Sequence, residues 1–340
     1  MAIVGGLDVH RAQITYDYLD VETGEVEVGR IVPATRCELR GWLSRFEGLD
    51  AVFATEGCTG WRFVVEELER AGVEAHVAEP ADTATLRGRK KRAKTDRADA
   101  RHLRQLLIDE RLPESWIAPS HVLEVRVMGR NYLALMDHRR AWQQRIQAQL
   151  FHQGVEKRAG LLTAGGRAHL DAAELSVAGR QSVDVALRII DALGVEADVL
   201  RAELKSFARR QAGCRALADG LFGVGELTAA IIWSEMGDTR RFSSSSQAVR
   251  HTGLDITVWS SDGKRSRGRL ARQGPSALRW ALFEAALTAA RPGSPDHAYF
   301  VEVSDRLGAK RAYMSVARKL ARRVHHILRS VGDAAFEEAA

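Results

Sequence analysis

The chain has 340 residues, enough for about two domains of roughly 150 residues, each with a buried core. Its 45% hydrophobic and 28% charged residues are those of an ordinary globular chain and exclude a collagen-like, mucin-like or wholly disordered polymer. Fifty Lys and Arg against 44 Asp and Glu leave a net +6 and a pI near 9.4, a mildly basic balance that does not by itself indicate nucleic acid.

The N-terminal MAIVGGLDVH has no basic region ahead of an apolar core, and no stretch approaches the about 18 apolar residues of a membrane span. Neither export nor membrane insertion is expected. Residues 2–33 alternate apolar and polar, with Ile14, Tyr16 and Tyr18 followed by Val26 and Val28 around a Glu22-Thr23-Gly24-Glu25 turn, which predicts a hairpin of strands. Helix is predicted over 36–46, strand over 50–56, helix over 61–71 and strand over 73–78, the alternation of an α/β sheet. After Pro80 a basic loop runs into a helix carrying Leu103, Leu106 and Leu107 at helical spacing. Cys37, Cys58 and Cys214 form no CxxC pair, so neither a disulfide framework nor a zinc ribbon is available, and a reducing cytoplasm fits best.

Strand signals stop near residue 120. Val122–Glu156 and Val183–Ala208 repeat apolar residues at intervals of three and four, predicting a helical connector of bundle or coiled-coil type. Gly223-Val224-Gly225 then opens an apolar helix and resembles a helix-hairpin-helix turn, although a plain turn explains it as well. Ser243–Ser246 reads as a helix N-cap, helices follow over 275–291 and 309–330, and the tail DAAFEEAA reads as frayed. The fold class is α/β plus α. Its expected parts are an N-terminal domain at 1–115, the connector at 116–212, a mostly helical C-terminal domain at 213–332 and a disordered tail at 333–340.

Asp8 ends the first apolar strand and Glu56 ends the strand VFATE, while Asp96 and Asp99 stand three apart at a helix start and share one face. Taken singly, Asp8 could be a turn residue and Asp96 a helix cap. Four converging carboxylates would repel one another unless divalent cations neutralised them, and hard Mg²⁺ favours such oxygen ligands. Pairs of metals roughly 3.5–4 Å apart serve phosphodiester chemistry. Nine Lys or Arg lie between Arg87 and Arg104, around the last two acids.

That order of strand Asp, strand Glu and helical Asp-x-x-Asp, in GLDVH, ATEGCTGW and KTDRADARHL, resembles the DEDD domain of the insertion sequence one-ten family of transposases, kin to Piv-type DNA invertases. The resemblance implies a ribonuclease-H-like, RuvC-like domain in which Asp8, Glu56, Asp96 and Asp99 bind Mg²⁺. GLDITVWSSDGKRSRGRLARQGPSALRWAL is similar to the same family's C-terminal motif, which places the family's serine at Ser261. Family members commonly carry Pro after Gly-Leu and Gly after the serine, whereas this chain has Asp255-Ile256 and Ser261-Asp262-Gly263, so Ser260 stands as the neighbouring alternative. A serine hydroxyl needs a base, a metal or cations to form the alkoxide. Lys264, Arg265, Arg267, Arg269 and Arg272 surround it here, and arginine matches phosphate bidentately.

The resemblance implies a transposase acting as a serine-type recombinase on donor and target double-stranded DNA, guided by a structured bridge RNA. It also implies an active site shared between protomers, with dimers pairing into a tetrameric synapse. The expected nucleic-acid contacts are Arg89, Lys90, Lys91, Arg92 and Lys94, the basic residues after Ser261, and Lys310 and Arg311 within the basic segment 306–323. A site-specific DNA invertase, a RuvC-like metal-dependent nuclease and a non-catalytic RNA-binding protein are the competing readings. A sugar-kinase-like ATPase fails for want of a second Gly-rich phosphate loop.

Overall fold

The computed structural model describes residues 2–86, 95–257, 260–261, 264–265 and 268–338, the pairs 260–261 and 264–265 through their backbone. The chain divides into two compact units, Met1–Ile117 and Ala118–Ala340. The connector and C-terminal domain expected to part near residue 212 therefore form one unit, because the long connector helices pack directly on the helices that follow.

In the first unit, β1 (Ile3–Val9), β2 (Ile14–Asp20) and β3 (Val26–Ile31) form an antiparallel meander. β4 (Ala51–Glu56) and β5 (Glu74–Ala78) add in parallel on the other edge of β1, giving the order β3-β2-β1-β4-β5. β1 is central and its Ile3, Val4, Leu7 and Val9 are all buried, as expected of a strand covered on both faces. α1 (Arg36–Leu43), prolonged by a 3-10 turn at Ser44–Phe46, and α2 (Trp61–Arg70) cover one face, where Leu39, Trp42, Phe46 and Leu68 pack on Leu7, Tyr16, Tyr18 and Phe53. α3 (Pro80–Leu86), in the stretch expected as loop, is held by the buried Thr83, whose hydroxyl donates to the Glu79 carbonyl at 2.8 Å. α4 (Asp96–Ile108) lies on the opposite face and sets Leu103 against Ala54 and Ala78.

The second unit begins with α5 (Ser120–His152), α6 (Ala164–Ala172) and α7 (Val177–Arg210). Ile146 and Leu150 near the end of α5 pack with Val183, Ala186 and Ile190 near the start of α7, while Arg201 stacks 5.7 Å from the Tyr132 ring centroid. The two long helices are thus antiparallel partners within one chain. α6, not expected from the sequence, is capped by Thr163 and sends Leu170 into the same core.

α8 (Ala212–Gly220) and α9 (Glu226–Met236) are joined by the Gly-x-Gly turn. Gly223 has φ of 90°, and a Cβ there would lie 2.6 Å from the Ala285 carbonyl, so glycine is demanded by backbone conformation and close approach alike. The Val224 and Gly225 amides are bonded to Leu221 O and Thr228 Oγ1, which favours the plain-turn reading over a presented phosphate cradle. α10 (Ser245–His251) starts at Ser244, whose hydroxyl caps Gln247 N as the serine tract predicts.

α11 (Ser276–Ala289), α12 (His297–Leu307) and α13 (Ala309–Val331) complete the unit. α12 was hidden in the sequence between proline and glycine signals; the fully buried Asp296 at its start is held by Lys319 and Arg323 of α13 at 2.9 and 2.6 Å. The tail expected to be disordered is packed as far as Glu337. Trp233 Nε1 donates to Ala335 O at 2.6 Å, Phe336 stacks on the Trp233 ring at 5.3 Å, and Gln211 donates to Glu337 O. Among the described residues no helix is long and apolar enough to cross a membrane.

Candidate functional site

Strand register brings the first two acids to one edge of the sheet. Leu7 pairs with Thr55 across the parallel β1–β4 ladder, so Asp8 and Glu56 follow side by side. Side chains alternate faces along a strand. Gly6 lies against α4, where a Cβ would meet Ala100 O at 2.1 Å, and Ala54 packs on Leu103, so Asp8 and Glu56 share the α4 face. The paired glycines Gly5 and Gly6 let Phe53 and α4 close on β1 from its two sides; a Cβ on Gly5 would lie 2.1 Å from the Phe53 ring.

Asp17 sets the position of α4 along the sheet. It pairs with Gly6 across β1–β2, is fully buried, and accepts from Arg104 Nε at 2.6 Å and Arg101 Nε at 3.3 Å. Arg104 is itself buried. Upstream of this clamp, Thr95 caps α4 by accepting from Ala98 N, which releases Asp96 from the capping role that its position also allowed.

Asp96 instead lies beside Asp8 and His10. The donor atoms of Asp8, His10 and Asp96 lie within 4.8 Å of one another. His10 Nε2 is 3.2 Å from Asp8 Oδ2 and 3.6 Å from Asp96 Oδ1, and Gln13 Nε2 donates to Asp96 Oδ2 at 2.9 Å. Burial raises the Asp8 carboxyl above its ordinary value; His10 opposes the shift, and the negative charges of Asp99 and Asp96 add to it. Asp99, one helical turn on, is thus electrostatically part of the cluster. His10 and Gln13, from the short β1–β2 loop, have no signal in the sequence beyond two residues' distance from Asp8 and pairing at the strand end.

The second unit carries the serine segment on a narrow antiparallel arm. Arg272 N bonds Gly253 O, Ala271 N bonds Asp255 O, and Thr257 N bonds Arg269 O at 2.9–3.0 Å. Farther out, the backbone of β6 (Ser260–Ser261) pairs with β7 (Lys264–Arg265), Ser261 opposite Lys264. The arm is clamped at its base, where Arg279 Nη1 donates to Thr252 O and Gly274 O and Arg318 Nε donates to Leu254 O at 2.7 Å. Gly253 and Gly274, both at positive φ, let the two strands leave together; a Cβ on Gly274 would stand 2.1 Å from His251 O. His251, just before the arm, is half-buried beside Arg241, and loss of solvation pushes its imidazole down to about 4.

Two family profiles match these two regions separately. One, the DEDD transposase domain of IS110 elements, matches residues 5–152; the other, described as the transposase IS116/IS110/IS902 family, matches residues 216–301. The chain belongs to the IS110 family of transposases. It is also 30% identical over 247 residues, 64% of this chain, to a candidate transposase, y4rJ of Sinorhizobium fredii (strain NBRC 101917 / NGR234). The match spans 60% of that relative's length.

The mixed five-stranded sheet is the α/β body expected of the RuvC-like DEDD domain of IS110 transposases. Of the four acids expected of that domain, the structure brings Asp8 and Asp96 within 4.8 Å of one another around His10, sets Asp99 near enough to act on Asp8 electrostatically, and places Glu56 at the neighbouring strand end. Among the expected nucleic-acid contacts, Arg269, Arg272, Lys310 and Arg311 are exposed. Lys264 and Arg265 lie on β7. Arg89, Lys90, Lys91, Arg92, Lys94 and Arg267 lie outside the described residues.

Proposed function

We propose that this IS110-family chain is a DNA recombinase of an insertion sequence, cleaving and rejoining DNA with Asp8, Glu56, Asp96 and Asp99 as a divalent-metal site and Ser261 as nucleophile. The observation that carries the reading is the meeting of Asp8 and Asp96 at a strand end and a helix start, in a chain whose two regions match both parts of the family.

The donor set fits a hard divalent ion such as Mg²⁺. Asp8 is half-buried beside two further acids; burial chiefly raises its pKa, the charges of Asp99 and Asp96 add to the shift, and a bound cation would favour the ionised carboxylate. When bound, such an ion supplies charge neutralisation and Lewis-acid stabilisation at a phosphate. Asp17 and Arg104 hold α4 so that its acids face Asp8, and Gln13 orients the Asp96 carboxylate.

In the serine step the Ser261 Oγ forms a bond to phosphorus while a phosphorus–oxygen bond to deoxyribose breaks, and the departing oxygen takes up a proton. The phosphoserine link keeps the phosphodiester's energy, so a second strand's hydroxyl can reverse the step and rejoin DNA without ATP. Lys264, Arg265, Arg269 and Arg272 on the arm, with Arg267 of the same basic segment, supply positive charge for the backbone. A bridge RNA would choose the DNA sites by base pairing. Assembly of protomers would draw on apolar surface such as Phe151 and Val177, which are 85% and 89% exposed at one end of the α5–α7 pair.

The test is a reconstituted reaction with end-labelled DNA, with and without element-derived RNA. The wild type and Ser260→Ala should give a covalent protein–DNA adduct and joined products, and Ser261→Ala neither. Activity retained by Ser261→Ala and lost by Ser260→Ala moves the nucleophile to Ser260. Unchanged recombination without RNA removes the guide. Because the acids gather within a single compact unit, a second reading is a RuvC-like metal-dependent nuclease. It expects cut, unjoined products that depend on Asp8 and not on either serine.

A further inference from the structure

We infer that His10 is a nitrogen ligand of the divalent-metal site, completing a mixed set with Asp8 and Asp96 that tilts the site from Mg²⁺ toward first-row transition ions such as Mn²⁺. This rests on the metal-site reading of the four acids and adds to it a residue outside that set.

The placement comes from the β1–β2 turn. His10 N bonds Gln13 O at 2.9 Å, closing a short loop directly after the Val9–Ile14 pair. That closure returns the imidazole over the end of β1. Its Nε2 sits 3.2 Å from Asp8 Oδ2 and 3.6 Å from Asp96 Oδ1. Two donors bound at right angles to one ion through bonds of about 2.1 Å stand about 3.0 Å apart. His10 Nε2 is therefore spaced from each of the two carboxylate oxygens much as a neighbouring donor in one coordination shell would be, and the donor atoms of all three residues lie within 4.8 Å of one another. Gln13 adds the outer support that metal carboxylates commonly have, by donating to Asp96 Oδ2 and leaving Oδ1 toward His10.

A purely structural role for His10 is poorly supported by its surroundings. Its side chain is 54% exposed, and the partners of its Nε2 are these two carboxylates, which contribute no apolar core. The chemical consequence follows from ligand type. Carboxylate oxygens alone suit Mg²⁺, whereas an imidazole nitrogen in the set favours first-row transition ions.

The experiment uses the full chain without nucleic acid. Mn²⁺ and Mg²⁺ affinities are measured by calorimetry, and the Mn²⁺ complex is probed by pulsed EPR for coupling to a coordinated ¹⁴N. Wild type should show imidazole ¹⁴N modulation and bind Mn²⁺ more tightly than Mg²⁺. His10→Ala and His10→Asn should lose the modulation and weaken Mn²⁺ by about tenfold or more, with Mg²⁺ changed less than about threefold. Mn²⁺ binding that depends on Asp8, tested with Asp8→Asn, but shows no ¹⁴N coupling and ignores His10 overturns this inference alone. A wild-type chain that binds neither ion overturns the carboxylate site and the inference with it.

Discussion

Removing Arg104 should loosen the helix that carries Asp96 and Asp99. In Arg104→Met the apolar stem is kept but the 2.6 Å ion pair to Asp17 is lost, leaving a fully buried carboxylate. Breaking one side of a buried pair costs about 3–5 kcal/mol. Arg101 still approaches Asp17 at 3.3 Å, but its side chain is 65% exposed and compensates only in part, so about 3 kcal/mol is expected. Hydrogen exchange followed by mass spectrometry reads α4 and β2 separately from the second unit. Where exchange is limited by opening, about 3 kcal/mol corresponds to amides exchanging roughly two orders of magnitude faster. Asp17→Val combined with Arg104→Met replaces both charges by apolar groups and should return to within about 1 kcal/mol of wild type. Exchange in α4 within threefold of wild type in the single variant, or a double variant as loose as the single one, would refute the clamp.

Three further outcomes are expected. Gly6→Ala should lower the urea midpoint with a cost of about 3 kcal/mol, since its Cβ meets backbone at 2.1 Å, whereas Gly41→Ala, inside α1 with open space around it, should be neutral or stabilising. His251 is neutral in the fold, with a pKa lowered from 6.5 to about 4, so stability is full above pH 7 and falls as pH drops through 6.5 toward 4, because the unfolded chain binds the proton first. The loss at pH 5 is about 2 kcal/mol, absent in His251→Gln, and an NMR titration of His251 with a midpoint above 6 would contradict it. Truncation after Gly332 should cost about 2 kcal/mol and shift the Trp233 emission to the red, because the indole loses the Phe336 ring and its Ala335 acceptor; an unchanged spectrum and midpoint would return the tail to the frayed state that its composition suggests.

The strands and helices of the first 78 residues were legible because their periods are local: Ile14, Tyr16 and Tyr18 alternate, and Val64, Val65 and Leu68 keep one helical face. The acids stood out for the same reason, each at the end of a readable element. α6 and α12 were not legible, since nine- and eleven-residue helices bounded by glycine or proline look like loops until Leu170 and Asp296 are seen buried. The tail misled through composition. Ala335 and Phe336 have no local pattern, and only Trp233, about a hundred positions earlier, gives them a partner.

The sequence by itself determined most of the element types, the order of Asp8, Glu56, Asp96 and Asp99, the serine segment and the family to which they point. Tertiary structure alone decided that α4 crosses β1 at Gly6, that Asp17 fixes it there through Arg104, and that His10 and Gln13 join Asp96 beside Asp8. The physical reason is separation along the chain. Gln13 and Asp96 are 83 residues apart, and Asp17 and Arg104 are 87 apart. Periodicity reports which face a residue takes on its own element, whereas coordination and ion pairing depend on distances that exist only once the elements have packed.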